Sequence, residues 1–592
     1  VSSAETIPIS RPPRAADAGP LDDRFYELVE ARFRRLVAAH PPMATYLGIH
    51  VFDDRLGDGS AEAVEGELEA ERAHLTAVER LDPEGLSAFV RFERDLEVHN
   101  VRRSIFELDA IRLWERRSTA IDTLGDALFS VFARDFAPLP ERLAALAARL
   151  DGVPRFLAEH RTRARVPQVR LWQQLEIDQA ADLPELIEAI VAAGRGTLRD
   201  GDQRALEAAA GRAKAALAEY ADWLRTTLPG GTDRWALGRE TYDALLSLRA
   251  LDGLTADEIL EIGQEQLAIH RAARAAAARE IDPEASEAAV IDRVKGDHPP
   301  TFDAALAAYR ETMTRARSHV IARDLVSVPP DEELIVIPTP TYLRRVIPFA
   351  AYFEPPKFDP RAAGIYVVTP SVDDNPTALR EHYYASISNT SIHEAYPGHH
   401  LQLSIAVRHP SLTRLLTDAP EFVEGWGMYS EQLMREHGFD DGPAFRLTMH
   451  NDAIWRACRI ILDVRMHRGE LSVEEATEFL VRETAFERPN ARAEVLRYTF
   501  TPTYQLSYLL GKLLILRLRS EAERRLGSAF RLREFHDTLL GNGSLPISFH
   551  RRLLAELGSG GSRGTGGVAG SAGEPSGIGA PPESAGGAAG SP

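Results

Sequence analysis

Residues 393–400 read His-Glu-Ala-Tyr-Pro-Gly-His-His, and this octapeptide constrains the fold more than any other stretch of the chain. It sets a carboxylate beside one imidazole and supplies two more imidazoles, but separates them by Pro397 and Gly398. The common zinc motif His-Glu-x-x-His places its histidines at i and i+4, on one face of a helix. Here the i+4 position from His393 is Pro397, which cannot ligate. On an unbroken helix His399 points well away from His393, and His400 returns to the same face about 10 Å further along the axis. Proline removes a backbone donor and glycine admits unusual dihedrals. A break at Pro397-Gly398 that swings His399 into the place of an i+4 ligand is the arrangement in which the octapeptide holds a metal. The plain alternative is a helix end that is rich in histidine.

A third ligand is expected from an acid at a distance. Glu424 lies in Glu-Phe-Val-Glu-Gly-Trp-Gly-Met-Tyr-Ser-Glu, residues 421–431. Phe422, Trp426, Tyr429 and Leu433 form an apolar stripe at helical spacing. Glu424 lies off that stripe, with Glu431 two turns away on its own face, while Gly425 and Gly427 reduce bulk around it. Standing alone, Glu424 reads as a solvated acid on an amphipathic helix; following His393-Glu394, it reads as a ligand.

The segment His393–Gln402 followed by Glu424-Gly425-Trp426 resembles the domain of unknown function 885 family. Pro41–His50 resembles that family's entry segment, and the similarity runs from about Leu21 to Leu557. The family in turn resembles gluzincin-type zinc peptidases, in which two histidines and a downstream glutamate hold the ion. Its His-Glu-x-x-Pro-Gly-His signature implies His399 rather than His400 as second ligand. The implied metal set is His393, His399 and Glu424, with one Zn²⁺ per chain and Glu394 as general base. A second resemblance concerns Arg497-Tyr498 and the following Thr501–Tyr508, which are similar to the arginine-tyrosine helix of angiotensin-converting enzyme. It implies Tyr498 as an oxyanion donor, a role that suits a phenol on a rigid ring. Arg497 and Tyr508 are candidate substrate-binding residues. For Arg497 a structural ion pair, and for Tyr504 and Tyr508 ordinary core packing, are the competing readings.

Acidic residues outnumber basic ones by 88 to 69, a net charge of −19. That disfavours nucleic acid as a partner, since phosphate binding needs clustered Lys and Arg. The only cysteine, Cys458, stands in a helical stretch and reads as a buried inert thiol. The first twenty residues lack the apolar core of a secretory signal, and no run reaches the ~18 apolar residues of a membrane span. The expectation is a cytoplasmic protein with no membrane partner; oligomeric state is left open.

The expected fold is mainly α: a large helical, metallopeptidase-like body with a cleft, and a small β-sheet upstream of the metal-binding helix. Phe25, Leu28, Val29, Phe33 and Leu36 mark an amphipathic helix, and further helices are expected over 60–105, 138–163, 203–228 and 255–280. Leu334–Ile337, Phe349–Phe353 and Ile365–Val368 read as short strands. Thr501 and Pro502 read as N-cap and first residue of the helix carrying Tyr508, and Asp463 and His467 as a pair at helical spacing. The division expected is an unstructured terminus over 1–20, a helical region over 21–323, a gluzincin-like catalytic region over 324–557, and an unfolded Gly/Ser/Ala/Pro tail over 558–592. The function expected is zinc-dependent hydrolysis of amide bonds in short peptides or related small amides. Two rivals share parts of this pattern: a non-haem Fe(II) oxygenase with the same two-histidine-one-carboxylate ligands, and a non-catalytic helical binding protein whose motif is degenerate.

Overall fold

The computed structural model describes residues 7–14, 16–339, 350–359, 363–370, 378–484 and 486–557. The expected tail, residues 1–6 and the strand residue Phe349 lie outside them. The stripe around Phe25 forms the helix Asp22–Ala39, burying Phe25, Val29, Phe33 and Val37. The stretch 60–105 folds as two helices, Ala61–Glu79 and Ala88–Phe106, separated by a turn at Pro83–Gly85. Each starts on a serine, Ser60 or Ser87, whose hydroxyl accepts a backbone N–H three residues on. Leu139–Arg161, Asp200–Thr227 and Ala256–Ile281 are helices, the last opened by a Thr255/Glu258 capping box. The body is mainly helical, with one small sheet.

That sheet has three strands: β1 (Glu333–Pro338), β2 (Ala350–Phe353) and β3 (Ala363–Val368). Their order is β1-β3-β2, with β1 parallel and β2 antiparallel to the central β3. Side chains alternate between faces along a strand, and both faces of β3 are covered. Tyr366 and Val368 pack into the C-terminal helical core, while Val367 and Ile365 pack against the helices of residues 120–224. The sheet is therefore the wall between two apolar cores.

The core does not divide at 323/324. Tyr242, Leu246, Ile259, Leu267, Tyr309 and Met313 are buried in one cluster with Ile392, Trp426, Ile454 and Leu510. The helix Ala256–Ile281 packs along Pro443–His467, so residues from about Tyr242 onward belong to the body that carries the octapeptide. Residues 7–14, grouped by sequence with an unstructured terminus, run without helix or strand against the first helix. There Ile7 is buried and Arg11 donates to Glu30.

Candidate metal centre

The His393 helix (Tyr384–Glu394) stops one residue after its histidine, and a new helix starts at His399 (His399–Ala406). The turn between them is tight. A Cβ on Gly398 would stand 1.8 Å from the His393 carbonyl oxygen, so no other residue fits there. The Trp426 indole N–H holds the turn by donating to the Pro397 carbonyl at 2.7 Å. The chain reversal brings His399 beside His393, with ring centroids 4.7 Å apart and planes perpendicular.

Glu424 comes from the helix Pro420–Glu436, whose buried face carries Phe422, Trp426, Tyr429 and Leu433. Its Oε2 lies 3.3 Å from His399 Nε2 and 3.7 Å from His393 Nε2. One donor atom from each residue lies within 4.8 Å of the others. Ligands about 2.1 Å from a tetrahedral zinc stand roughly 3.4 Å from one another, so the residues fit such an ion. His393 is oriented for it as well. Its Nδ1 pairs with Glu431 Oε1 at 2.7 Å, which leaves Nε2 facing the cluster. Gly427 makes room, since a Cβ there would lie 2.7 Å from the His393 ring.

Burial opposes charge on His393, but hydrogen bonds to Glu424 and Glu431 prevail and raise its pKa to about 10. Burial likewise works against ionised Glu424 and Glu431, and the neighbouring histidines still hold both below the usual carboxylate range. In the metal-free cluster the acids thus carry the negative charge that a cation would neutralise. His400 is turned away. Its Nε2 meets Glu332 Oε2 at 2.6 Å and its Nδ1 meets the Tyr352 hydroxyl at 3.0 Å.

Glu394 lines a cavity of about 550 Å³ together with His393, His399 and Glu424. Tyr352, Tyr46, Tyr504, Tyr508, Trp455 and Arg456 stand in the same walls. Tyr498 does not reach it. It is fully buried, and its hydroxyl accepts from Trp455 Nε1 at 3.2 Å and Arg459 Nε at 3.1 Å. The tyrosine beside the cluster is Tyr504, whose hydroxyl donates to Glu424 Oε1 at 2.8 Å; the Tyr508 hydroxyl lies 3.5 Å from it. Arg497 also stays out of the cavity walls and pairs with Glu494 at 2.8 Å.

The reason is local. Thr501–Leu506 is a series of turns rather than the first turn of a helix, and the helix begins at Ser507 (Ser507–Leu526). Thr503 sits at φ +64°, and its N–H donates to buried Asp463. This irregular segment re-aims the chain, so that Tyr504 takes the place expected of Tyr498. Asp463 also accepts from Tyr242, and His467 pairs with the Tyr498 carbonyl, so the two are not bonded to each other. Sequence reasoning left Glu431, Tyr504 and Arg456 without a role. The i+7 spacing of Glu424 and Glu431 was the available signal for the first, and the i+4 spacing of Tyr504 and Tyr508 for the second.

A second cavity, of about 340 Å³, shares the lining residues Leu403, Val423, Glu424 and Tyr504 with the first. Cys458 is buried away from both, with its thiol pushed up to about 12 by burial. Among the described residues no helix is long and apolar enough to cross a membrane.

The fold is shared with solved structures, among them two bacterial proteins. One is described as a "putative lipoprotein of unknown function" from Shewanella oneidensis, at TM-score 0.73 and 22% identity, covering 90% of this chain and 100% of that one. The other is described as a "putative lipoprotein" from Colwellia psychrerythraea, at TM-score 0.77 and 17% identity, covering 90% and 98%. No curated protein matches the chain. A family model matches residues 41–554, nearly the whole folded body. The chain belongs to the family of bacterial proteins of unknown function DUF885.

Proposed function

We propose that this protein is a metal-dependent hydrolase of the gluzincin type that cleaves amide bonds in short peptides or related small amides. The observation that carries this reading is the convergence of His393, His399 and Glu424 on one point, with Glu394 in the wall of the same cavity. His393, His399 and Glu424 would hold a zinc ion, which would supply a Lewis acid and acidify water at the site. Glu431 holds His393 in the tautomer that presents Nε2. Glu394 takes a proton from the attacking water as its oxygen joins the carbonyl carbon. It returns the proton to nitrogen as the C–N bond breaks. Tyr504, whose hydroxyl donates to Glu424 in the metal-free cluster, would turn that proton to the oxyanion that develops on the former carbonyl oxygen, a contribution of about 3 kcal/mol for a well-placed donor. The cavity lies between the sheet and the helices and is large enough for a few residues of peptide, which favours short substrates over folded proteins.

The test is a defined mixture of short peptides incubated with zinc-loaded protein and read by mass spectrometry. Cleavage is expected with wild type, and Glu394→Gln is expected to slow it by roughly 10²–10⁴-fold while keeping its metal. Equal cleavage by both proteins, or none by wild type, would remove the hydrolase reading. Iron in place of zinc together with dioxygen consumption would move the assignment to an oxygenase using the same ligands.

A further inference from the structure

Beside the cluster, the helix Pro443–His467 presents two arginines to the cavity, and their circumstances differ. Arg459 is engaged. Its Nη2 donates to Glu494 at 3.1 Å, its Nε donates to the Tyr498 hydroxyl, and its guanidinium lies 3.9 Å from the Trp455 ring centroid. Arg456 has no such partner. Its Nε is buried without a hydrogen bond, and its Nη1 reaches only the backbone carbonyl of Asp452 at 3.4 Å. The nearest carboxylate oxygen, on the Asp452 side chain, stands 4.0 Å away, beyond hydrogen-bonding length. Asp452 is itself engaged by Asn389 at 2.9 Å. Arg456 is nevertheless held in place, with its guanidinium 4.2 Å from the Trp455 ring centroid and its side chain 15% exposed.

A guanidinium held over an indole ring, in the wall of a cavity and without a carboxylate at hydrogen-bonding distance, is suited to accept a planar two-oxygen anion. Charge-assisted pairs of that kind form at about 2.7–2.9 Å and are often bidentate. We propose that Arg456 anchors a carboxylate of the substrate. The inference rests on the hydrolase reading above and names its substrate class as short peptides or amides that carry a free carboxylate. The carboxylate is either the terminal group or an acidic side chain.

The experiment uses the full chain with zinc and the Glu394→Gln substitution, which permits binding without turnover. Calorimetry compares three probes: N-acetyl-alanyl-alanine, its C-terminal amide, and N-acetyl-alanyl-glutamic acid α-amide. The first or the third is expected to bind at least tenfold tighter than the neutral amide, and which of them does so assigns the source of the carboxylate. Arg456→Gln is expected to abolish that preference. Arg456→Met, which keeps the packing on Trp455, is expected to do the same, and either variant is scored only with metal content and circular dichroism unchanged. Equal binding of all three probes, no binding of either acid, or a preference that survives both substitutions would overturn the anchor. Cleavage of the neutral amide as fast as the free acid by wild type would overturn the anchor and leave the hydrolase standing. Arg456-dependent binding of an acid that wild type never cleaves would do the reverse.

Discussion

His393 is held from two sides, by Glu431 on Nδ1 and by the space that Gly427 leaves beside the ring. Removing the first support should loosen the ligand without removing it. Glu431→Ala is expected to weaken zinc binding by about 10–100-fold, read by competition with a chelating dye, with secondary structure unchanged. The two tyrosines separate in the same way. Tyr504→Phe should keep the metal and lower turnover by ~10²-fold. Tyr498→Phe should leave turnover alone and lower stability by about 1–3 kcal/mol in urea unfolding, because Trp455 and Arg459 lose their buried acceptor. At this scale the sequence pattern pointed to the three donors and to Glu394. It also posed the choice between His399 and His400, neither of which a straight helix brings to the same ion as His393. The partner that removes His400, Glu332, lies 68 residues away in sequence, and no local spacing announces it.

Elements bring the residues together, and the decisive ones are breaks rather than runs. The turn at Pro397-Gly398 is legible because proline and glycine have direct backbone consequences. The turns over Thr501–Leu506 are not legible in that way: Thr-Pro matches a helix start, yet long-range bonds to Asp463 and Arg249 override it. Arg249 also pairs with Glu421 at 2.5 Å, both side chains buried, and so ties the turn to the start of the Glu424 helix. Glu421→Ala leaves that arginine charged and unpaired, and is expected to cost about 3–5 kcal/mol of stability in a denaturant titration. The helices of the first half and the three strands follow their periodicity and composition closely. Their packing does not, since the buried faces of Ala256–Ile281 and Pro443–His467 give no sign of each other in sequence.

At the scale of the whole molecule, two cores meet at the sheet, and buried acids inside them make stability depend on pH. Glu176 is buried beneath Ser118 and the Ile121 N–H, and burial raises its pKa to about 7 despite those hydrogen bonds. The folded state therefore keeps a proton that the unfolded chain gives up near pH 4.5. The associated stability is fully present below that value, is lost as pH rises toward 7, and changes little above it. Glu176→Gln does not titrate, so it should gain on wild type by on the order of 2–3 kcal/mol between pH 4.5 and 7.5 in urea unfolding. A gap that stays constant across that range would show that Glu176 is ionised in the folded protein.

The central claim is that His393, His399 and Glu424 form a metal site and that His400 does not belong to it. Metal content of the purified full chain tests this most directly, with His393→Ala, Glu424→Ala and His400→Ala measured alongside. About one zinc per chain is predicted in wild type, lost in the first two variants and kept in the third. No zinc after reconstitution, or zinc kept in His393→Ala and Glu424→Ala, would contradict the account.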